Sequence, residues 1–297
     1  MHIHRFPKIM TLPGDALYFS FKKELKQLKP DIIHTHSYRH VHSYTVLQSA
    51  KKLKIPCFLT THAPFVDKKL RSPVANLIVK MYDLFLKKTL NEYTKVCAIA
   101  NWEIPYLLRL GLRKEKIIIV PTGVSKEFFK KTRPGRKILY MGRIADIKDV
   151  NTFVKAAQLL PQFEFEILGP LERGYVLLES KNLKITLKKY TLPEAVGFLQ
   201  KGHTFVLPSK REGAPQVLLE AMAAGKIVIA SKTQGAKDMI RDGINGYLFD
   251  ISNVKQLVDI ILVTKPLQIV RNAILTAKEY DWDVIVDKVE KMYLISA

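Results

Sequence analysis

Two glutamates, Glu212 and Glu220, flank a loop-to-helix junction in the stretch PSKREGAPQVLLEAMAAGKIVIAS, residues 208–231. The short apolar run His203 to Leu207 predicts a strand, and Ser209 to Glu212 a polar loop. Gly213-Ala214-Pro215 turns into a helix opened by a proline, whose missing N–H costs nothing there. The helix ends at Gly225, a residue suited to the left-handed cap, and a second strand follows from Ile227 to Ala230. In open α/β sheets, ligands bind at the carboxyl ends of strands. The free N–H groups and the positive dipole end of the helix favour an anion there, such as a phosphate. Glu220 is the only charged residue between Ala214 and Gly225. The helix is apolar nearly all round, which predicts burial on both sides, and an unpaired buried charge is costly. Glu220 therefore either points to solvent, the ordinary reading of a lone helical glutamate, or meets a polar partner such as a ribose diol.

The elements that position these residues alternate regularly. The first part reads as a short strand within Met1 to Met10, an amphipathic helix from Asp15 to Leu28, and then strands at Asp31 to His36, Pro56 to Thr61, Lys95 to Ala100 and Lys116 to Val120. Helices fill the intervals at His40 to Leu53, Ser72 to Glu92 and Trp102 to Leu110. Pro121-Thr122-Gly123 punctuates the chain, and a connector rich in Lys, Arg, Pro and Gly runs from Lys130 to Arg136. The alternation then restarts. Strands are expected at Ile138 to Met141, Phe163 to Leu168, Leu183 to Leu187, His203 to Leu207, Ile227 to Ala230 and Tyr247 to Phe249. Helices are expected at Val150 to Leu160, Leu171 to Ser180, Leu192 to Gln200, Pro215 to Ala224 and Gln234 to Arg241. A helical tail follows at Asn253 to Val263, Pro266 to Tyr280 and Trp282 to Leu294. Such alternation argues for parallel sheets.

Composition sets the outer bounds. The 297 residues are 47% hydrophobic and 25% charged, as in a globular protein. They suffice for two domains with separate cores. No apolar run approaches the roughly 18 residues of a membrane span, and MHIHRFPKIM has no continuous apolar core of a leader. The two cysteines, Cys57 and Cys97, argue against a disulfide framework and for a reduced cytoplasm. The net charge is +21. Residues 1–120 hold 21 Lys/Arg against 8 Asp/Glu, or +13; the remaining 27 and 19 leave +8 for residues 121–297. Such an excess suits nucleic acid, an acidic substrate or an anionic membrane surface, or is only a solubilising surface. No helix-turn-helix, zinc-finger or aromatic–basic RNA pattern points to nucleic acid. The segment Asp67 to Lys88, with Lys68, Lys69, Arg71, Lys80 and Lys87, mixes cations with Leu77, Met81, Leu84 and Phe85. It is an ordinary amphipathic helix with a solvated face or an interfacial helix on anionic lipid.

The pattern Glu212-Gly-Ala-Pro-Gln-Val-Leu-Leu-Glu220-Ala-Met-Ala-Ala-Gly225 resembles the paired-glutamate signature of the retaining family-4 glycosyltransferases. Val-Pro-Thr-Gly123-Val is similar to that family's linker, with Thr122 where Asn is usual. Leu-Tyr-Met-Gly142-Arg143-Ile with Lys148 resembles its diphosphate clamp, with Asp149 where Gly usually follows the lysine. Asp242-Gly-Ile-Asn-Gly246 and Tyr280-Asp-Trp282 resemble its late turn and last helix. Pro30-Asp-Ile-Ile-His-Thr-His36 and Phe-Leu-Thr-Thr-His62 are similar to part of its N-terminal domain. The family's opening strands and Gly-Gly loop have no counterpart, glycine first occurring at Gly14.

The resemblance implies the α/β GT-B fold: two Rossmann-like, doubly wound domains facing a cleft, the N-terminal one incomplete. Residues 1–120 would form the acceptor domain and 121–279 the nucleotide-sugar domain, with the helix at 280–297 packing back on the first. It implies transfer of a sugar from a nucleotide-diphosphate sugar, with retention, to a glycan or lipid-linked acceptor. Glu212, His62, Arg143 and Lys148 would be catalytic. Gly142, Arg143, Lys148, Gly213, Ala214, Gln216, Val217 and Glu220 would bind the donor, with Glu220 on the ribose and the helix N-terminus on the diphosphate. His36 would line the acceptor site.

No cofactor is expected. No Asp-x-Asp metal motif is read in the sequence, so Arg143 and Lys148 are expected to replace a divalent metal in stabilising the leaving diphosphate. The cluster His34, His36, His40 and His42 is not assigned a metal, since the last two sit two residues apart on a helix and do not share a face. Three alternatives remain: a truncated or non-catalytic nucleotide-sugar-binding protein, a sugar-nucleotide epimerase, and a basic nucleic-acid binder that no motif supports. The expected location is the cytoplasm, with the inner membrane face as a peripheral site.

Overall fold

The computed structural model describes Ile3, Arg5 and residues 10–12, 16–18, 21–64, 72–130, 135–263 and 267–294. The chain divides into two compact units, Met1–Pro121 with Asp287–Ala297, and Thr122–Val286.

The first unit opens with strands β1 (Met10–Leu12) and β2 (Ala16–Tyr18), paired antiparallel with Met10 opposite Tyr18. The sequence predicts a helix from Asp15, but helix α1 spans Lys22–Leu28. Pairing with β1 satisfies the backbone of residues 16–18, and the apparent helical spacing from Leu17 is coincidental. Strands β3 (Ile33–His36), β4 (Cys57–Thr60), β5 (Lys95–Ala98) and β6 (Ile117–Ile119) form a parallel sheet in chain order. Helices α2 (Val41–Leu53), α3 (Pro73–Leu90) and α4 (Ile104–Arg109) connect them. Leu47, Ala50, Leu59, Leu90, Val96, Ala98 and Leu107 form the core.

Helix α3 has Ser72 as its cap, with Ser72 Oγ accepting from Ala75 N at 3.2 Å. Its apolar side, carrying Leu77, Met81, Leu84 and Phe85, is exposed. The ordinary amphipathic arrangement, apolar side inward, is therefore not what this helix adopts. Asp67, Lys68, Lys69 and Arg71 lie outside the described residues, as does Gly14.

The second unit holds six parallel strands, β7 (Lys137–Met141), β8 (Phe165–Leu168), β9 (Leu183–Thr186), β10 (Gly202–Leu207), β11 (Ile227–Ser231) and β12 (Tyr247–Phe249). Their order is β12-β11-β10-β7-β8-β9. The sheet thus starts in the middle, winds outward one way from β7, then returns and winds the other way from β10. The reversal lies between β7 and β10, and the crevice outside the strand ends at such a point is where α/β sheets take ligands. Helices α5 (Val150–Leu159), α6 (Leu192–Gln200), α7 (Gln216–Ala223), α8 (Gln234–Met239), α9 (Val254–Val263) and α10 (Leu267–Lys278) accompany the sheet. All four residues of β8 and all five of β11 are buried, as expected for strands covered on both faces. Helix α7 packs against β10, β11 and α10, which explains a sequence apolar on nearly every side.

The helix expected near Leu171 to Ser180 is absent. Side chains of α5 take its backbone groups: Asn151 Nδ2 donates to Val176 O at 2.9 Å, Leu178 N donates to Asn151 Oδ1 at 2.9 Å, and Gln158 Nε2 donates to Glu179 O at 2.7 Å. Gly174, at φ +82°, breaks any helical run through the segment. The last helix, α11, spans Trp282–Leu294, and its residues from Asp287 onward belong to the first unit.

Candidate active site

In the second unit the loops leaving β7 and β10 flank the reversal of strand order. The β7 loop begins at Gly142, whose φ of +148° is one that side chains disfavour. Tyr140 Oη, buried beneath, donates to Arg143 O at 2.7 Å and fixes the turn. Burial, and then the charge of Glu212, hold the Tyr140 phenol far above its usual range, so it stays a donor. A 3-10 turn, Asp146–Lys148, presents Lys148. Asp149 then adopts φ +47° before α5. This is the position where the family usually has Gly, and an aspartate is among the few side chains that tolerate that conformation.

The β10 loop brings Glu212 to meet Lys148. Lys148 Nζ donates to Glu212 Oε1 at 2.7 Å, and buried Ser209 donates to the same oxygen at 2.6 Å. The ion pair spans the reversal and is 23% and 10% exposed on its two sides. The loop is held from behind by α8, where Gly235 N donates to Glu212 O at 3.0 Å. A Cβ on Gly235 would stand 2.4 Å from Gly213 O, so only glycine allows this approach. Arg143 Nη1 contacts Glu172 Oε1 at 3.1 Å in an exposed pair. Both cations expected to face a diphosphate therefore have carboxylate partners, Lys148 firmly and Arg143 loosely.

Helix α7 starts with no side-chain cap. Among the described residues no acceptor meets the N–H groups of Gln216 and Val217. The Gln216 side chain is engaged, its Nε2 donating to Gly123 O at 3.2 Å. Gly123 lies under the Trp282 ring, leaving no room for a Cβ. Glu220 is half-buried one turn further along. Among the described residues its carboxylate has no hydrogen bond and no ion pair, and burial alone pushes it up to about 7. Tyr190, beyond β9, senses the Glu220 charge and is raised by burial and then by that charge. Gly142, Arg143, Lys148, Glu212, Gly213, Ala214, Gln216 and Val217 thus lie on loops or helix starts leaving β7 and β10, and Glu220 lies in the second turn of α7.

The expectation of no Asp-x-Asp triplet is corrected by Asp281-Trp282-Asp283. Asp281 Oδ1 accepts from Asp283 N at 2.9 Å, and Asp283 pairs with Lys126 at 2.5 Å, so the triplet serves the start of α11.

The first unit gathers histidines at the carboxyl ends of β3 and β4. His34 and His36 stack at 4.8 Å between ring centroids, as their shared strand face predicts. His36 Nδ1 and His62 Nε2 lie 2.9 Å apart. His34 meets Tyr293 Oη through Nδ1 at 2.5 Å and Thr60 Oγ1 through Nε2 at 2.8 Å. Burial, and then the neighbouring imidazoles, lower His34 to about 4. The same causes lower His36 and His62. The pair at 2.9 Å is therefore a neutral–neutral hydrogen bond at neutral pH, one ring donating and the other accepting. His42 Nε2 is bonded to His36 O at 2.9 Å. Its ring lies 5.4 Å from that of His40, so these two do meet, against the expectation from their spacing, because His40 caps the helix from outside it. Among the described residues no three of these groups converge on a metal position.

His62 and Ala63 both have left-handed backbones, φ +57° and +50°. Glu103, fully buried, holds that turn. Its Oε2 accepts from Thr61 Oγ1 at 2.6 Å and Ala63 N at 3.0 Å; its Oε1 accepts from Ile99 N at 2.7 Å and Ala100 N at 3.2 Å. Sequence reasoning missed Glu103, Ser209 and Tyr190. For Glu103 a signal existed: a lone acid in the first turn after an apolar strand is a capping position.

A family model described as Glycosyl transferases group 1 matches residues 124–273, and one described as Glycosyltransferase Family 4 matches residues 2–128. The fold is that of the GT-B glycosyltransferases. The Anabaena protein Alr3699/HepE, solved with UDP and glucose, superposes with a TM-score of 0.75 at 16% identity, covering 93% of this chain and 81% of that one. The chain belongs to the glycosyl transferases group 1 family, whose model covers Gly142, Arg143, Lys148, Glu212 and Glu220. Among its relatives is the UDP-Gal:alpha-D-GlcNAc-diphosphoundecaprenol alpha-1,3-galactosyltransferase of Escherichia coli, 26% identical over 82% of this chain and 68% of the relative. Another is the N,N'-diacetylbacillosaminyl-diphospho-undecaprenol alpha-1,3-N-acetylgalactosaminyltransferase of Campylobacter jejuni, 24% identical over 98% of this chain and 84% of the relative.

Proposed function

We propose that this glycosyltransferase moves a sugar from a nucleotide-diphosphate sugar to a lipid-linked glycan acceptor, with retention at the anomeric carbon and with protein cations in place of a divalent metal. The observation that carries the reading is Glu220, a half-buried carboxylate with no partner beside the crevice of a doubly wound sheet. A ribose diol supplies two hydroxyl donors to such a group and favours its ionised form. The unmet N–H groups of Gln216 and Val217 take diphosphate oxygens at the helix start. Lys148 and Arg143 stabilise the charge that develops on the leaving diphosphate. Glu212, oriented by Ser209 and Lys148, accepts hydrogen bonds from sugar hydroxyls.

In the retaining step the bond from the anomeric carbon to the diphosphate oxygen breaks. The acceptor oxygen bonds to that carbon on the same face, and its proton passes to the departing phosphate oxygen, so no protein nucleophile is needed. His36 and His62, neutral at neutral pH, are assigned to acceptor hydroxyls as positioning groups. The acceptor class rests on the two relatives, whose names specify diphosphoundecaprenol-linked substrates. Two free, buried cysteines support a reducing cytoplasm.

Titration calorimetry with UDP, GDP and ADP tests the core of the reading. One nucleotide should bind, and Glu220→Gln should weaken it at least tenfold, about 1.4 kcal/mol. Glu212→Gln should bind it unchanged while transfer slows. Equal affinity in Glu220→Gln and the wild type would remove the assignment. The anomeric configuration of the product, read by NMR, tests retention, and activity kept in EDTA tests metal independence.

A further inference from the structure

Helix α3 presents its apolar side outward. Val74, Leu77, Met81, Leu84 and Phe85 are 54–75% exposed. At 100° per residue these side chains fall within one continuous stripe, opposite the buried Leu90 and the half-buried Leu86 that pack on the core. The only acid on the helix, Asp83, is turned away from that stripe. Arg39 holds it with two bonds, Nε to Oδ1 at 2.7 Å and Nη2 to Oδ2 at 2.8 Å. Lys80, Lys87 and Lys88 are exposed and have no carboxylate partner among the described residues. Lys88 sits within the apolar stripe in the last turn, and Lys80 and Lys87 line one edge. The outward side of the helix is therefore apolar and cationic, with no acid there among the described residues.

We propose that this face of α3 lies in the headgroup region of an anionic bilayer, with the apolar stripe inserted and the three lysines on lipid phosphates. Apolar residues backed by cations are the pattern of a helix lying in the interface plane. At 18 residues α3 is about 27 Å long. No single helix among the described residues is long and apolar enough to cross a membrane, so contact is from one side. Charge selects the occupant. A second copy meeting α3 face to face would bring three lysines against three, because a two-fold contact sets each patch against itself. An anionic leaflet neutralises them, and the +13 carried by residues 1–120 draws the same unit toward it. The docking is independent of the transfer chemistry.

Co-sedimentation of the full chain with vesicles tests it. Binding to phosphatidylglycerol mixed with phosphatidylcholine should exceed binding to phosphatidylcholine alone and weaken with salt. The double variant Leu84→Glu, Phe85→Glu should lose on the order of a hundredfold in partitioning. The triple variant Lys80→Glu, Lys87→Glu, Lys88→Glu should lose at least on the order of a hundredfold, each cation being worth about fivefold. Both should keep wild-type nucleotide affinity, which separates this idea from the donor-site reading. No partitioning of the wild type, or undiminished partitioning of either variant, would overturn it. So would a concentration-dependent dimer that the double variant abolishes without any vesicle binding.

Discussion

Each unit places a glutamate out of water behind a strand end, and the two are treated oppositely. Glu103 in the first unit receives four donors from its own chain. Glu220 in the second receives none among the described residues. Burial pushes both carboxyls up, but at Glu103 the four bonds pull back. A carboxylate saturated by the chain organises the chain: Glu103 fastens the left-handed turn on which His62 sits. A carboxylate left bare destabilises the free protein, and its use is realised only when something else supplies donors. Internal hydrogen bonding thus separates a residue that builds its own turn from the one proposed to meet a ribose diol.

The largest expected effect comes from emptying the saturated position. Glu103→Ala strands three backbone N–H groups, each costing about 1–3 kcal/mol when buried unmet, and leaves the Thr61 hydroxyl only its longer bond to Cys97 O at 3.2 Å. Urea denaturation should show a loss of about 4 kcal/mol or more. A loss under about 1 kcal/mol would mean that the turn holds itself and that the contrast with Glu220 is empty.

The bare position should respond with the opposite sign. Burial pushes the folded Glu220 carboxyl up to about 7, from an ordinary value of 4.5. The folded protein therefore holds this proton more tightly than the unfolded chain. The associated stability is complete below pH 4.5 and is lost as pH rises through 7. The shift corresponds to at most about 3 kcal/mol, and nearer half of that once solvent screens a half-buried site. Glu220→Gln should therefore raise Tm at pH 8, match the wild type near pH 4, and abolish the nucleotide-induced rise in Tm. A wild-type Tm profile parallel to that of Glu220→Gln from pH 4 to 8 would show that Glu220 has a partner after all.

Most of the second unit was legible because its signals are local. Apolar runs, Gly225 as a cap and Pro215 ahead of α7 mark the elements wherever the chain goes next. The Lys148–Glu212 bridge was not legible, since its partners stand 64 residues apart and meet only because the sheet reverses between β7 and β10. The family resemblance put both residues in one site without putting them in contact. Residues 171–180 misled because their backbone partners are Asn151 and Gln158 on another element, which no window of the segment contains. In α3 the periodicity revealed the stripe but not its exposure, because which side of a helix faces the core depends on what packs there.

Asp149 lies between the two extremes and gives the finest test. Its backbone is left-handed at φ +47°, and its carboxylate accepts from Thr152 Oγ1 at 2.8 Å and Ser252 Oγ at 2.6 Å. The strain costs about 1–2 kcal/mol for an ordinary side chain and less for aspartate. The two half-exposed bonds return about 0.5–1.5 kcal/mol each. If saturating a carboxylate is what lets this chain keep an unfavourable turn without glycine, the two effects nearly cancel. Asp149→Gly should then change stability by less than about 1 kcal/mol, while Asp149→Ala, which keeps the strain and loses the bonds, should cost about 2 kcal/mol. Denaturation of the pair decides it: equal losses would mean that the hydrogen bonds alone matter, and the turn carries no strain for them to offset.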